Sequence, residues 1–139
     1  MLLFDTHAWI WTVEGDVRRV GRRARALIDK AAARDALRVS AISLFEIVAL
    51  HAAGRLRVNR PIEQWLDEAL ATSGVRVSEI ARTIAVDAGF VPRDGLTDPA
   101  DRLVVATARH LSATLITADE AVLDYATRTG SVRAQDLRR

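Results

Sequence analysis

The sequence predicts an α/β fold, a three-layer α/β/α sandwich around a mostly parallel central sheet of four to five strands. Short apolar runs that read as strands alternate along the chain with longer stretches whose apolar residues recur at helical spacing. Every connection between successive strands is long enough to be a crossover, which joins parallel strands and lays helices over both faces of the sheet. Acids follow two of the strands, Asp5 and Asp119. In an open parallel sheet the functional crevice lies beyond the carboxyl ends of the strands, where strand order reverses.

Leu2 to Asp5 is a short apolar strand, and Thr6 to Val13 turns into a short helix carrying Trp9 and Trp11. Val17, Val20, Ala24, Leu27, Ile28 and Ala31 recur at helical spacing, with Arg18, Arg19, Arg22, Arg23 and Arg25 on the remaining face. Leu37 to Ala41 is a second strand. Ser43, Leu44, Phe45 and Glu46 then spell a capping box ahead of an apolar helix that stops at Gly54. Asn59 to Ser73 reads as a helix with Pro61 near its start, Trp65, Leu66, Ala69 and Leu70 inward, and Gly74 ending it. Val75 to Val77 is a brief strand, and Ser78 caps a helix through Ile80, Ile84 and Val86.

After a loop of turn formers from Val91 to Thr97, Asp98 reads as an N-cap and Pro99 suits the first helical position. Asp101 falls at the third position, near the positive helix end, and Leu103, Val104, Ala108 and Leu111 form a buried stripe. One acid suffices for a cap, so the second invites a chemical explanation, although a capping box gives the same spelling. Thr114 to Thr117 is a fourth strand, Asp119 to Thr129 a helix stopped by Gly130, and Val132 to Ala134 a last strand.

At 139 residues the chain fits one domain, 1–139, with a substantial core. No apolar run approaches the roughly 20 residues that cross a bilayer, so no membrane association is expected. MLLFDTHAWIW lacks a basic leader and a small-residue cleavage site, so no secretory signal is expected either. The chain has no cysteine, which excludes disulfides and thiolate zinc sites and permits a reducing, cytoplasmic location. Net charge is only +2, but Lys30 is the sole lysine among 20 basic residues. Arginine suits phosphate through its bidentate fork, and a GC-rich genome gives the same bias.

Asp5, Glu46, Asp101 and Asp119 can therefore share one crevice at the carboxyl edge of the sheet. Gathered carboxylates repel one another and raise each other's pKa values unless a cation neutralises them. Magnesium and manganese prefer hard oxygen ligands, and such an ion activates water and neutralises charge on a phosphodiester. Each acid alone also suits a helix cap; the agreement of four points to metal-dependent hydrolysis of a nucleic-acid backbone. No P-loop, no GxGxxG after the first strand and no GxSxG elbow is present. His7, His51 and His110 are scattered; His7, two residues after Asp5, is the one placed to contact substrate. Trp9 and Trp11 suit either the core or base stacking.

The segments FDTHAWIW, SAISLFEI, DPADRLVVATA and LITADEAVL, in that order, resemble the PIN-domain ribonucleases, most closely the VapC-type toxins of prokaryotic toxin–antitoxin pairs. The resemblance spans nearly the whole chain. It implies a magnesium or manganese site, endonucleolytic cleavage of RNA that inhibits translation, a cognate VapB-like antitoxin and a homodimer. Asp5, Glu46, Asp101 and Asp119 match the family's acidic positions, with Asp98 a fifth acid. Thr6 and Thr117 would orient carboxylates, and Arg18, Arg22 and Arg25 are candidates for contacting RNA. Many family members carry an aspartate–phenylalanine pair soon after the fourth acid. Here TADEAVLDY offers Glu120 and later Asp124 with Tyr125, which leaves Asp119 open between direct ligation, ligation through water and a helix cap.

Two rivals use the same acids. A phosphoacceptor receiver collects aspartates around magnesium, but needs a lysine at the last strand, whereas Lys30 lies in an early helix. A catalytically inactive PIN-like module would only bind RNA or a partner.

Overall fold

The computed structural model describes every residue except Val17, Arg93 and Asp94. Among the described residues, β1 (Leu2–Phe4), β2 (Leu37–Ser40), β3 (Arg76–Ser78), β4 (Thr114–Thr117) and β5 (Arg133–Asp136) form one sheet in the order β3-β2-β1-β4-β5. Every pairing is parallel, with Phe4 opposite Val39 on one side and Ile116 on the other. The crossovers carry α1 (Thr6–Val13) and α2 (Arg22–Ala33), α3 (Ala41–Ala52) and α4 (Ile62–Ser73), α5 (Arg82–Phe90) and α6 (Pro99–Leu111), and α7 (Glu120–Thr129). The expected all-helix connections and five-stranded sheet are thus present, and strand order reverses between β1 and β4.

Strand side chains alternate between faces, so β1 supplies two cores. Leu2 and Phe4 pack with Trp9, Ile28, Ile47 and Trp65, from α1 to α4. Leu3 packs with Val104, Val105, Ala108 and Val122, from α6 and α7. Leu3 and Phe4 are wholly buried, and burying each such side chain contributes roughly 1.5–3 kcal/mol. A strand buried on both sides is why the first residues read as a continuous apolar run.

Several element boundaries differ from the sequence expectation, each for a local reason. Helix α2 begins at Arg22, so Arg18 and Arg19 lie in a turn before it; Val17 falls outside the described residues. Gly21 is its N-cap, and the amides of Gly21 and Arg23 donate to the carbonyls of Leu137 and Arg139. A Cβ on Gly21 would stand 2.3 Å from the Arg139 backbone, so only glycine admits that segment.

The capping box expected at Ser43–Glu46 does not form a helix start. Ser40, the last residue of β2, already caps α3 by accepting from the Ile42 amide at 3.2 Å, which puts Ser43 and Glu46 inside the helix one turn apart. Likewise Ser78 is used by β3, opposite Ser40, so α5 starts only after Ala81 and Val86 is left 55% exposed. Strands β3 and β5 extend one and two residues beyond the apolar runs that announced them, and Pro61 caps α4.

Ser40→Ala is expected to lower the unfolding free energy by about 1 kcal/mol, the usual worth of a side-chain N-cap. Urea melts would show a lower midpoint at unchanged slope; an unmoved midpoint would assign the start of α3 to packing alone.

Candidate active site

Beyond the carboxyl ends of β1 and β4, at the reversal of strand order, opens a cleft of 310 Å³. Five carboxylates line it, those of Asp5, Glu46, Asp98, Asp101 and Asp119, with Thr6, His7, Trp11 and Ala118 between them. Asp5 leaves β1 and caps α1, Glu46 sits in the second turn of α3, Asp98 and Asp101 open α6, and Asp119 caps α7. All four expected acids and the fifth therefore meet in one place.

A hydrogen-bond network holds them. Asp5 is 9% exposed; its Oδ1 accepts from the Thr6 amide at 2.8 Å and its Oδ2 from the Thr117 hydroxyl at 2.7 Å. The Thr117 oxygen in turn accepts from the Asp119 amide at 3.0 Å, while Asp119 Oδ1 accepts from the amides of Ala121 and Val122. Across the cleft, the Thr6 hydroxyl lies 2.5 Å from Glu46 Oε1 and 2.8 Å from Ser43 Oγ. With one proton to give, Thr6 donates to the carboxylate, and Ser43 supplies the second hydrogen. Asp98 Oδ1 accepts from the Ala100 amide at 2.9 Å. Asp101 differs: among the described residues no hydrogen bond reaches its carboxylate, so the capping-box alternative for it is not realised.

Electrostatics follow from this arrangement. Burial raises the pKa of Asp5, and the bonds from Thr117 and Thr6 partly offset it. Burial also raises Glu46, aided by the charges of Asp5 and Asp98 and opposed by Thr6. Asp101 is pushed up to about 7, first by burial and then by the charges of Asp5, Asp98, Asp119 and Glu46. The cleft is thus short of positive charge.

The donors fit a hard divalent cation in kind, being carboxylate oxygens throughout. As placed, no three of the acidic or histidine side chains among the described residues stand close enough to hold one ion directly between them. An ion of magnesium type does not require three such contacts, since it is bound through one or two carboxylates and keeps several waters.

Residues 2–127 match the family model of the PIN domain. The chain belongs to the PIN-domain family. It is 34% identical over 119 residues to ribonuclease VapC22 of Mycobacterium tuberculosis, covering 85% of this chain and 86% of that protein. Its fold is shared by VapBC2 from Rickettsia felis, solved bound to a DNA fragment from their promoter, at TM-score 0.69 and 14% identity over 96% of each chain. DNA-bound VapBC from Salmonella typhimurium gives 0.67 and 18%, covering 98% of this chain and 97% of that one. FitAcB from Neisseria gonorrhoeae gives 0.62 and 23% over the same shares.

Within this PIN domain the remaining candidates, His7 and Trp11 apart, fall outside the cleft. Arg18, Arg22 and Arg25 are exposed and none lines it; Arg25 borders a neighbouring groove of 80 Å³. His51 and His110 sit in the last turns of α3 and α6, away from it, while His7 lines it. Two participants were missed or left open by the sequence. Ser43, read as a cap, is wholly buried and supports Thr6; its position three residues before Glu46, on the same helix face, was the available signal. The two tryptophans divide: Trp9 is core and Trp11 lines the cleft.

Asp101 generates a test. Its folded pKa of about 7 exceeds the ordinary 3.8, so the folded state holds the extra proton and loses stability as pH rises between those values. In chelator at about pH 8, Asp101→Asn is expected to melt about 3–6 °C higher than the natural chain, on the order of 1 kcal/mol after solvent screening. The gain should shrink on acidification and vanish near pH 4. A gain independent of pH would remove the charge cluster as its cause.

Proposed function

We propose that the chain is a cytoplasmic endoribonuclease and the toxin of a toxin–antitoxin pair, using magnesium or manganese at the acidic cleft. The observation that carries the proposal is the meeting of five carboxylates at the switch point of a PIN-domain sheet. Likeness to a protein named ribonuclease VapC22 supports RNA as substrate, and the absence of a helix long and apolar enough to cross a membrane is compatible with the location. The receiver reading has no support from Lys30, which lines a cleft at the amino edge of the sheet.

Asp5, Glu46, Asp101 and Asp119, with Asp98 as a further acid, would hold the ion, one or two of them directly and the rest through its waters. When bound, it would supply charge neutralisation at the phosphodiester and a water acidic enough to attack at neutral pH. The protein's part is preorganisation. Thr117 and the Thr6 amide fix Asp5 for that task, and Thr6 aims Glu46 into the cleft from the other side. Asp101, with a carboxyl that holds a proton readily at neutral pH, is the group from which a cation would displace it.

Purified protein incubated with RNA and either ion is expected to cut it internally, and excess chelator to abolish cutting. Asp101→Asn should reduce the rate by at least about a hundredfold, as loss of a general base or ligand typically does, whereas Asp98→Asn, which keeps the cap, should spare stability. Full cleavage in thorough chelation would overturn the metal requirement.

VapBC and FitAcB, named above, share this fold, which supports a VapB-like antitoxin as partner. An arginine from it would enter the acidic cleft as a stand-in cation. Coexpression with the protein encoded beside this one is expected to give a complex and to relieve growth arrest; neither effect occurring would remove the toxin assignment while leaving the nuclease intact.

A further inference from the structure

A polyanionic substrate has to enter a cleft lined by five carboxylates. A bound divalent ion offsets part of that charge at the reacting phosphate and leaves the question of what grips the rest of the nucleotide. Among the described residues, His7 is the one basic side chain that lines the cleft. The lining also offers one large aromatic surface, the indole of Trp11.

Trp11 is half-buried, packed on one side against the core that contains Trp9 and Trp65. The exposed His7 ring stands 6.2 Å from it, tilted by 58°. The Arg19 guanidinium lies over the indole at 4.5 Å, and Asp16 holds Arg19 through an ion pair of 2.8 Å. The guanidinium laid over the outer side of the indole, with the tilted His7 ring beside it, forms a cationic aromatic cluster on which a base can stack, against the guanidinium plane or in its place. That is the chemistry of base stacking, which is tolerant of sequence because every base has a π-face.

We propose that Trp11, with His7 and Arg19, forms a nucleobase subsite at the mouth of the acidic cleft, which takes one unpaired base of an RNA strand next to the cleaved linkage. This deepens the nuclease reading and rests on it. A base can reach the indole only when it is out of a helix, so the subsite selects single-stranded loops or ends. The bland alternative is that Trp11 merely packs. Core packing accounts for its buried side and gives no reason for an arginine tethered over the ring.

The test has two arms. Trp9 and Trp65 are 0% and 1% exposed, so a base stacking on the surface can quench only Trp11. With calcium as the only divalent ion, a short single-stranded oligoribonucleotide is expected to quench tryptophan emission saturably in the natural chain and not in Trp11→Leu. In the second arm, the shortest oligoribonucleotide that the protein cleaves is remade with one abasic nucleotide at each position around the cut. Trp11→Leu should raise KM by roughly tenfold or more, the usual worth of one stacked base, with kcat changed much less, and Trp11→Phe should recover most of the loss. One abasic position should raise KM in the natural chain and not in Trp11→Leu. Cleavage in which no abasic position couples to Trp11, or binding without quenching, overturns the subsite. Absence of both cleavage and binding would instead sink the nuclease reading. Quenching and the abasic scan on the natural chain need no variant to fold.

Discussion

The hydrogen bond from the Thr117 hydroxyl to Asp5 joins the carboxyl ends of the two central strands, and the acidic cleft is built outward from it. Asp5 is nearly buried, so its charge needs partners inside the protein. Thr117 supplies one while its oxygen accepts from the Asp119 amide and its carbonyl from the Leu137 amide. The Asp5 amide meanwhile donates to the Ile116 carbonyl. The parallel register of β1 and β4 therefore places the first and last of the cleft's five acids, Asp5 and Asp119, side by side. A slip of one residue would send Asp5 to the opposite face and dissolve both the core contacts of Phe4 and the cleft.

The same topology sorts charge along the strand axis. Helices α1, α3, α6 and α7 all begin at the carboxyl edge, capped by Asp5, Ser40, Asp98 and Asp119. Their positive ends favour acids there, each by about 0.3–1 kcal/mol, which is too little to neutralise five. Hence Asp101 still titrates at about 7. At the amino edge, where helices end, a cleft of 290 Å³ is lined by Lys30, Arg34 and Arg133 over an apolar floor, and Arg133 donates to the carbonyl of Ser112, the cap of α6. Those cations answer the negative helix ends. The net charge of +2 hides this polarity entirely.

The sequence made the architecture legible because burial writes a strong signal. Leu2–Phe4 and Thr114–Thr117 lie between layers and read as apolar runs, and α7 is bounded by Asp119 and Gly130, whose φ of +64° glycine adopts freely. Asp5, Asp98, Asp101 and Asp119 were legible because each follows a strand or opens a helix, and Glu46 through a capping-box spelling that the structure does not use. What failed were starts set by tertiary contacts. The periodicity at Val20 and Ala24 gave no sign that the chain's last residues would occupy the entrance to α2. Ser43–Glu46 had the right spelling for a cap, but Ser40 took that work first, and Ser43, which looked structural, became a support of the site beside the expected Glu46. Trp9 and Trp11, two residues apart on a helix, point in different directions, so one enters the core and the other the cleft.

Cap and ligand looked like competing explanations for each acid, and the geometry leaves room for both. A carboxylate has about four lone-pair sites, and a cap uses only some of them. Asp98 and Asp119 each give Oδ1 to helix amides, and among the described residues their Oδ2 atoms accept nothing. Glu46 gives Oε1 to Thr6 in the same way. The bonds that fix these side chains leave one oxygen on each without a partner among the described residues, so the proposed cation would meet groups already ordered, at little further cost in side-chain entropy. Among the described residues Asp101 alone of the five accepts no hydrogen bond, and burial with the neighbouring charges pushes its pKa up to about 7. The other acids set the shape of the cleft and its charge, and that charge bears on Asp101, the carboxyl at which the proposed metal ion would displace a proton.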